Sequence, residues 1–249
     1  VLNMCVIAVL IMGAYFAMFY SPMLGAGMLL EMNTRQPDYA FHHRMDETGI
    51  PGEADLQAMA AEEGAAMHGY REVPFINLAT DGIDRNWTED GRFGDTHHDF
   101  YQEESFLSES GYEQVTGQKL DVAPGHYVYV TSQDYSHSPY DYIEQMTRFT
   151  NPVTMEVLPV AFQEEVRYNL LHGYILLDDA DYAALDSGLT DEWRETWVQF
   201  NVDDWEETYA FARRLKNAII DGSSERSAIY VNYDRVEKMN AEAAGKGIG

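Results

Sequence analysis

Two histidine pairs, His42-His43 and His97-His98, the second running straight into Asp99, are the side chains best suited to holding a metal. Imidazoles that share a metal from a helix sit three or four positions apart, so that both rings leave one face. Neighbours on a strand point to opposite faces, so neither pair makes a site alone. His97-His98-Asp99 could serve one from a loop only with remote partners, and a solvated loop is the plainer reading. Asp81, Asp84, Asp90 and Asp95 invite a calcium loop. That pattern needs alternating ligands, a Gly at the sixth position and a Glu at the twelfth, and DGIDRNWTEDGR offers neither of the last two. Ser108 and Ser110 carry hydroxyls able to attack a substrate, but they stand where helix caps are expected. No nucleophile elbow, phosphate loop or dinucleotide fingerprint occurs. Carboxylate pairs suited to glycan hydrolysis are too abundant to discriminate. The expectation is no catalytic residue, no metal ligand and no cofactor, with the ligand-contacting residues undefined.

The composition narrows what such a chain serves. Its 249 residues hold 42 Asp/Glu against 16 Lys/Arg, a net charge of −26. Contact with a phosphate backbone needs the opposite sign, which excludes a nucleic-acid partner, and the body as a whole is repelled by anionic headgroups. The same field gathers cations and basic peptides, although solubility in a salty habitat explains the acidity equally well. Abundant aromatics (17 Tyr, 11 Phe, 4 Trp) can build a core and argue against disorder. A lone cysteine, Cys5, leaves no internal disulfide and no cysteine-based zinc site.

All of that charge lies beyond residue 30: VLNMCVIAVLIMGAYFAMFYSPMLGAGMLL has none. Crossing about 30 Å of hydrocarbon takes about 20 apolar residues in a helix, which Val1–Tyr20 supplies. Tyr15, Phe16, Phe19 and Tyr20 crowd the end where an aromatic belt would meet water. Gly13 and Ala17 carry small-xxx-small spacing. A signal peptide would have a basic start and a shorter apolar core, and a buried core helix would show a polar face. The segment therefore reads as a transmembrane helix within residues 1–30, and a chain that starts inside one reads as part of a longer protein.

The elements that must position the chemistry follow from periodicity and punctuation. RQPDYAFHHRM predicts a short strand, and GEADLQAMAAEEG a helix with Leu56, Met59 and Ala60 on one face and Gly64 as its stop. AAMHGYREVPFINLATDG predicts one or two strands with an edge or bulge at Pro74, and IDRNWTEDGRFGDTHHD a loop. A strand ends at Phe106-Leu107, Ser108 or Ser110 caps a short helix through Val115, and Gly117 closes it. HYVYVTS is a strand after the turn at Pro124-Gly125. YILLDDADYAALDSGL repeats the arrangement: strand, Asp-capped helix with Tyr182 and Leu185, then Gly188. After the strand TWVQFNV, DDWEETYAFARRLKNAIIDG predicts a helix with a capping box from Asp203 and Glu206, an apolar stripe of Trp205, Tyr209, Ala212, Leu215 and Ile219, and an end at Gly222. The fold class is α+β, short helices on a largely antiparallel sheet, because helices and strands do not alternate as a doubly wound sheet requires. Residues 31–235 form this domain, and 236–249 form a helical lead into whatever follows.

A membrane helix followed by RQPDYAFHHR (Pro37, Asp38, Tyr39), FLSESGYEQVTGQKLDVAPG (Ser108, Glu109, Ser110, Tyr112, Gly117), HGYILLDDADYAAL (Gly173, Asp178, Tyr182, Leu185) and FNVDDWEETYAFARRL resembles the large extracellular domain of FtsX-like ABC transporter permeases, nearest the bacitracin-resistance branch of Gram-positive bacteria. Tyr112-Glu113 stands where that family tends to have Tyr-Asn, and Val115 replaces a leucine. The resemblance implies a ten-helix permease with one outer domain between the seventh and eighth helices, Val1–Tyr20 being the seventh and Val236–Gly249 leading to the eighth. It also implies a separate ATPase subunit, a membrane histidine kinase as a common partner, membrane lipid around residues 1–20, and a cationic peptide or cell-wall lipid intermediate as ligand. Docking of a cell-wall hydrolase is the alternative, and a membrane-anchored glycan hydrolase a third.

Overall fold

The computed structural model describes residues 37–87, 93–131 and 146–223. Val1–Tyr20 and 236–249, on which the transmembrane and lead-helix expectations fall, lie outside them. Among the described residues no helix is long and apolar enough to cross a membrane. In chain order the described elements are β1 (Tyr39–Arg44), α1 (Glu53–Glu62), β2 (Met67–Trp87), β3 (Phe93–Ser108), α2 (Glu109–Thr116), β4 (His126–Thr131), β5 (Arg148–Thr150), β6 (Val157–Pro159), β7 (Ala161–Arg167), β8 (Ile175–Leu177), α3 (Asp179–Asp186), β9 (Arg194–Val202) and α4 (Tyr209–Gly222). The strands form one sheet in the order β1-β9-β2-β3-β8-β4-β7, with β5 on β2 and β6 on β5. β3 with β8 and β4 with β7 run parallel, and the other pairs antiparallel. The fold is α+β on a largely antiparallel sheet.

Alternation along the strands builds the layers. Ala40, Val73, Phe75, Leu107, Val128, Leu176 and Trp197 leave one face and bury Tyr112 and Val115 of α2. From the other face Tyr39, Phe41, Val198 and Phe200 meet Leu56 and Ala60 of α1 and Phe211, Ala212, Leu215 and Ile219 of α4. Further along that face Ile76, Phe106, Tyr127 and Leu177 enclose Phe149 and Leu185. The neighbouring histidines of β1 part as strand geometry demands: His42 lies edge-on to Phe75, while His43 lies near Phe41.

Two local expectations are corrected and one is resolved. Within the stretch 83–99, expected as a loop, residues 83–87 and 93–99 form a long antiparallel arm in which β2 runs on to Trp87 and β3 begins at Phe93. Its Asp, Asn and Gly content reads as a turn because the arm lacks the one-sided apolar row of a core strand. Of the edge or bulge expected at Pro74, the edge is what forms: β2 pairs with β3 only from Ile76 onward, so Pro74 sits where β9 is the sole paired strand, and the register breaks fall at 68–71 and at 80–82. At the second break a side chain on Gly82 would begin 2.5 Å from the Tyr101 ring, so only glycine fits. Finally, α4 starts at Tyr209, not at an Asp203–Glu206 capping box. Asp204 is left-handed (φ 50°), Trp205–Glu207 forms a 3-10 turn, and the buried Thr208 hydroxyl sits 2.6 Å from Tyr39 Oη. That long-range contact fixes the helix start, leaving Trp205 outside the apolar stripe and Tyr209 69% exposed.

Candidate functional site

The two motif stretches singled out in the sequence meet. Phe106-Leu107-Ser108 lies parallel and in register with Ile175-Leu176-Leu177, and each strand feeds a capped helix at its carboxyl end. Ser108 Oγ accepts Gly111 N–H at 3.0 Å, and Gly117 (φ 71°) closes α2. Asp178 Oδ1 accepts the N–H groups of Ala180 and Asp181 at 2.9 and 3.3 Å. Because α2 packs on one face of the sheet and α3 on the other, the chain diverges here, which in open sheets is where a crevice suited to ligands forms.

At this divergence the amide donors are already taken by carboxylates of the chain itself. Asp179 Oδ1 accepts Ser110 N–H at 3.1 Å, Asp181 Oδ2 accepts Gly125 N–H at 2.6 Å, and Glu109 Oε2 accepts Val122 N–H at 2.8 Å. A phosphate or carboxylate ligand would have to displace them. Each carboxylate keeps further lone pairs, so the rim suits ammonium or guanidinium groups. Tyr182 of α3 donates to Pro74 O at 3.3 Å. Burial chiefly, helped by Asp186, pushes its phenol well above the ordinary tyrosine range, against the opposing pull of Arg194, so it remains a donor.

The His97-His98-Asp99 stretch lies on β3, not in a loop, and there it meets Asp81. The register break at 80–82 turns Asp81 inward until it is fully buried. Its carboxylate accepts Thr147 N–H at 2.8 Å, Thr147 Oγ1–H at 2.6 Å, Arg148 N–H at 3.2 Å and His97 Nε2 at 2.9 Å. Burial alone would raise its pKa; the bonds from Thr147, His97 and Arg148 outweigh that and hold it below the usual carboxylate value. Asp99 pairs with the Arg148 guanidinium and lies 3.7 Å from His97 Nδ1. A carboxylate so saturated ties β5 to the arm and leaves no ligand capacity. Among the described residues no three His, Cys, Asp or Glu side chains converge on a metal position.

A third polar group was not anticipated from the sequence. Ser105 Oγ donates to Asn77 Oδ1 at 2.9 Å, Asn77 Nδ2 donates to Glu195 Oε1 at 2.8 Å, and Glu195 Oε2 lies 2.5 Å from His42 Nδ1. The row crosses β3, β2, β9 and β1 on the face of Phe75 and Trp197. Ser105 is bonded to an amide, which cannot take its proton, so this is a register-fixing row rather than an activated nucleophile. Its signal in the sequence is Glu195 and Gln199, polar residues two positions either side of Trp197 and so on the same face of β9.

No known protein family matches the chain, and neither does any characterised protein.

Proposed function

We propose that residues 31–235 are the outer, ligand-gathering domain of an ABC transporter permease of the FtsX-like, bacitracin-resistance kind. Val1–Tyr20 holds it at the membrane, a separate subunit hydrolyses ATP, a membrane histidine kinase receives the signal, and the ligand is a cationic peptide, free or bound to a cell-wall lipid intermediate. The observation that carries this reading is an uncharged thirty-residue run joined to a body that bears all of the −26 net charge. The carboxylate rim at the ends of β3 and β8 gives that charge a place to act. Binding of a cationic peptide antibiotic to the full chain in neutral detergent should weaken steeply as salt rises, because exposed charges are screened beyond about 10 Å at 0.1 M. Tight, salt-indifferent binding of an uncharged ligand would refute the electrostatic capture. Flanking coding sequence with a further apolar helix and a neighbouring ATPase would test the class directly.

A second reading, docking of a cell-wall hydrolase or other protein, draws on the turn before β6. Val153, Met155 and Val157 are 43, 56 and 48% exposed, and buried Asn151 holds their backbone by accepting Val153 and Thr154 N–H, both at 2.9 Å. Capture of a protein partner without peptide, lost in Met155→Ser, would favour it.

A further inference from the structure

The outward side of α4 differs from the rest of this molecule. Its inward side is Phe211, Ala212, Leu215 and Ile219, all fully buried. Tyr209, Arg213, Lys216 and Ile220, spaced four, three and four apart, follow the opposite side at helical repeat, and all four are exposed. Arg214 leans back to α1, where its guanidinium lies 2.7 Å from Glu62. Arg213 and Lys216 have no ion-pair partner among the described residues. The helix contains one acid, Asp221; Asp203, Asp204, Glu206 and Glu207 stand ahead of it. The sign of the chain changes at this helix: residues 1–208 carry 9 Lys/Arg against 37 Asp/Glu, whereas residues 209–249 carry 7 against 5.

The position of α4 says what this side meets. Its cap is bonded to Tyr39, and Asp38 Oδ2 accepts Val202 N–H at 3.0 Å, so the helix begins beside the point where the chain arrives from the uncharged run. Pro37 can stand no more than about 25 Å from Leu30 even at full extension. Tyrosine favours the headgroup level of a bilayer, and Lys/Arg near its surface are drawn to anionic headgroups, so this stripe suits a headgroup layer.

We infer that α4 rests along the bilayer surface, Arg213 and Lys216 meeting the phosphates of anionic phospholipids while Tyr209 and Ile220 settle at the acyl boundary. This rests on the membrane reading proposed above. The acidic bulk does not oppose the contact, because a Debye length of about 8 Å at physiological salt confines each charge to its own neighbourhood. Attraction at this one face therefore turns the domain so that α4 meets lipid and the other faces meet solvent.

The test uses the full chain with Cys5→Ser and an environment-sensitive fluorophore at Asn217→Cys on α4 or at Glu164→Cys on β7, the opposite sheet edge. Each is reconstituted in bilayers of phosphatidylcholine alone or mixed equally with phosphatidylglycerol, with spin-labelled headgroups as quencher. The position-217 fluorophore should be quenched several-fold more than the position-164 one when phosphatidylglycerol is present. R213Q/K216Q should reduce the docked-to-free ratio about twenty-fivefold, roughly fivefold for each cation near the surface, and high salt should do the same. Equal quenching at the two positions, or quenching indifferent to R213Q/K216Q, in chain that still floats with the bilayers would overturn the inference and leave the membrane anchor standing. Chain that does not float removes the anchor and the inference together. If R213Q/K216Q instead dissociates a dimer without altering quenching, the stripe serves a second copy and the lipid contact is refuted.

Discussion

Replacing Asp81 tests whether one buried carboxylate joins the β2–β3 arm to β5. Asp81→Ala leaves Thr147 N–H, Thr147 Oγ1–H and Arg148 N–H without their acceptor, whereas half-exposed His97 can turn to water. Each orphaned donor costs about 1–3 kcal/mol, and water entering the vacated space recovers part of it. The net loss should be about 3–5 kcal/mol, a large fraction of the 5–15 kcal/mol typical of a folded domain. At about 2–4 °C per kcal/mol for this size, Tm should fall by roughly 6–20 °C. Asp81→Asn behaves differently. Its amide oxygen can still accept both backbone N–H groups, and its NH₂ can donate to Thr147 Oγ1 and to the other His97 tautomer, so about 1–2 kcal/mol should be lost, the share due to the charge. The pH dependence carries a definite sign. A carboxyl held below its unfolded value of about 3.9 adds stability above that pH and loses it as pH falls through the folded value; the wild-type and Asp81→Asn curves should therefore converge in acid. Urea unfolding of the full chain in neutral detergent, followed by tryptophan fluorescence across pH, reads all three. A loss below about 1 kcal/mol for Asp81→Ala, or a gap to Asp81→Asn that widens in acid, would refute the role.

The remaining predictions concern single side chains. Ser108→Ala should cost about 1 kcal/mol and Asp178→Ala somewhat more, since it accepts two N–H groups; denaturant midpoints that do not move would show that neither cap matters. Asn151→Ala should cost about 2–3 kcal/mol, because the buried amide also donates to Leu185 O and Ser187 O. Met155→Gly should raise stability by about 0.5 kcal/mol, because Met155 holds a left-handed φ of 63°; a fall in Tm would mean that the exposed Met155 side chain contributes packing.

What could be read from the sequence was what is decided locally. α2 and α3 announce themselves through Ser108 and Asp178 in front and Gly117 and Gly188 behind, and all four act within a few residues. The core rows of β1, β4 and β9 alternate openly. Where the outcome depends on residues far apart in the chain, local signals mislead: the start of α4 depends on Tyr39, 169 positions from Thr208, and overrides an attractive acidic cap. The outer arm is hidden because the Asp, Asn and Gly of 81–87 and 93–95 look like a turn while hydrogen-bonding to a partner strand sustains them. The same cause mixes success and error in the candidate site. Of Ser108 and Ser110, expected as alternative caps, Ser108 is the cap and Ser110 lies in the first turn of α2, but nothing near Asp81 in the chain reveals Thr147 and Arg148 as its partners.

The acidity itself divides into two populations that salt should separate. Among the described residues Asp38, Glu47, Asp55, Asp81, Glu109, Asp178, Asp179 and Asp181 each accept at least one backbone N–H. These carboxylates hold turns and helix starts together through contacts at hydrogen-bond distance, where screening by ions is weak, whereas repulsion among solvent-facing carboxylates acts over several ångströms and is screened. Raising salt should therefore leave unfolding free energy unchanged or increase it, as self-repulsion relaxes, while the capture of a cationic peptide collapses. Measuring both on one sample, by thermal unfolding and by peptide binding across the same salt series, separates the roles. If stability and binding fell together, the charge would be supporting the fold through long-range attraction, and the division between structural and ligand-gathering carboxylates would be wrong.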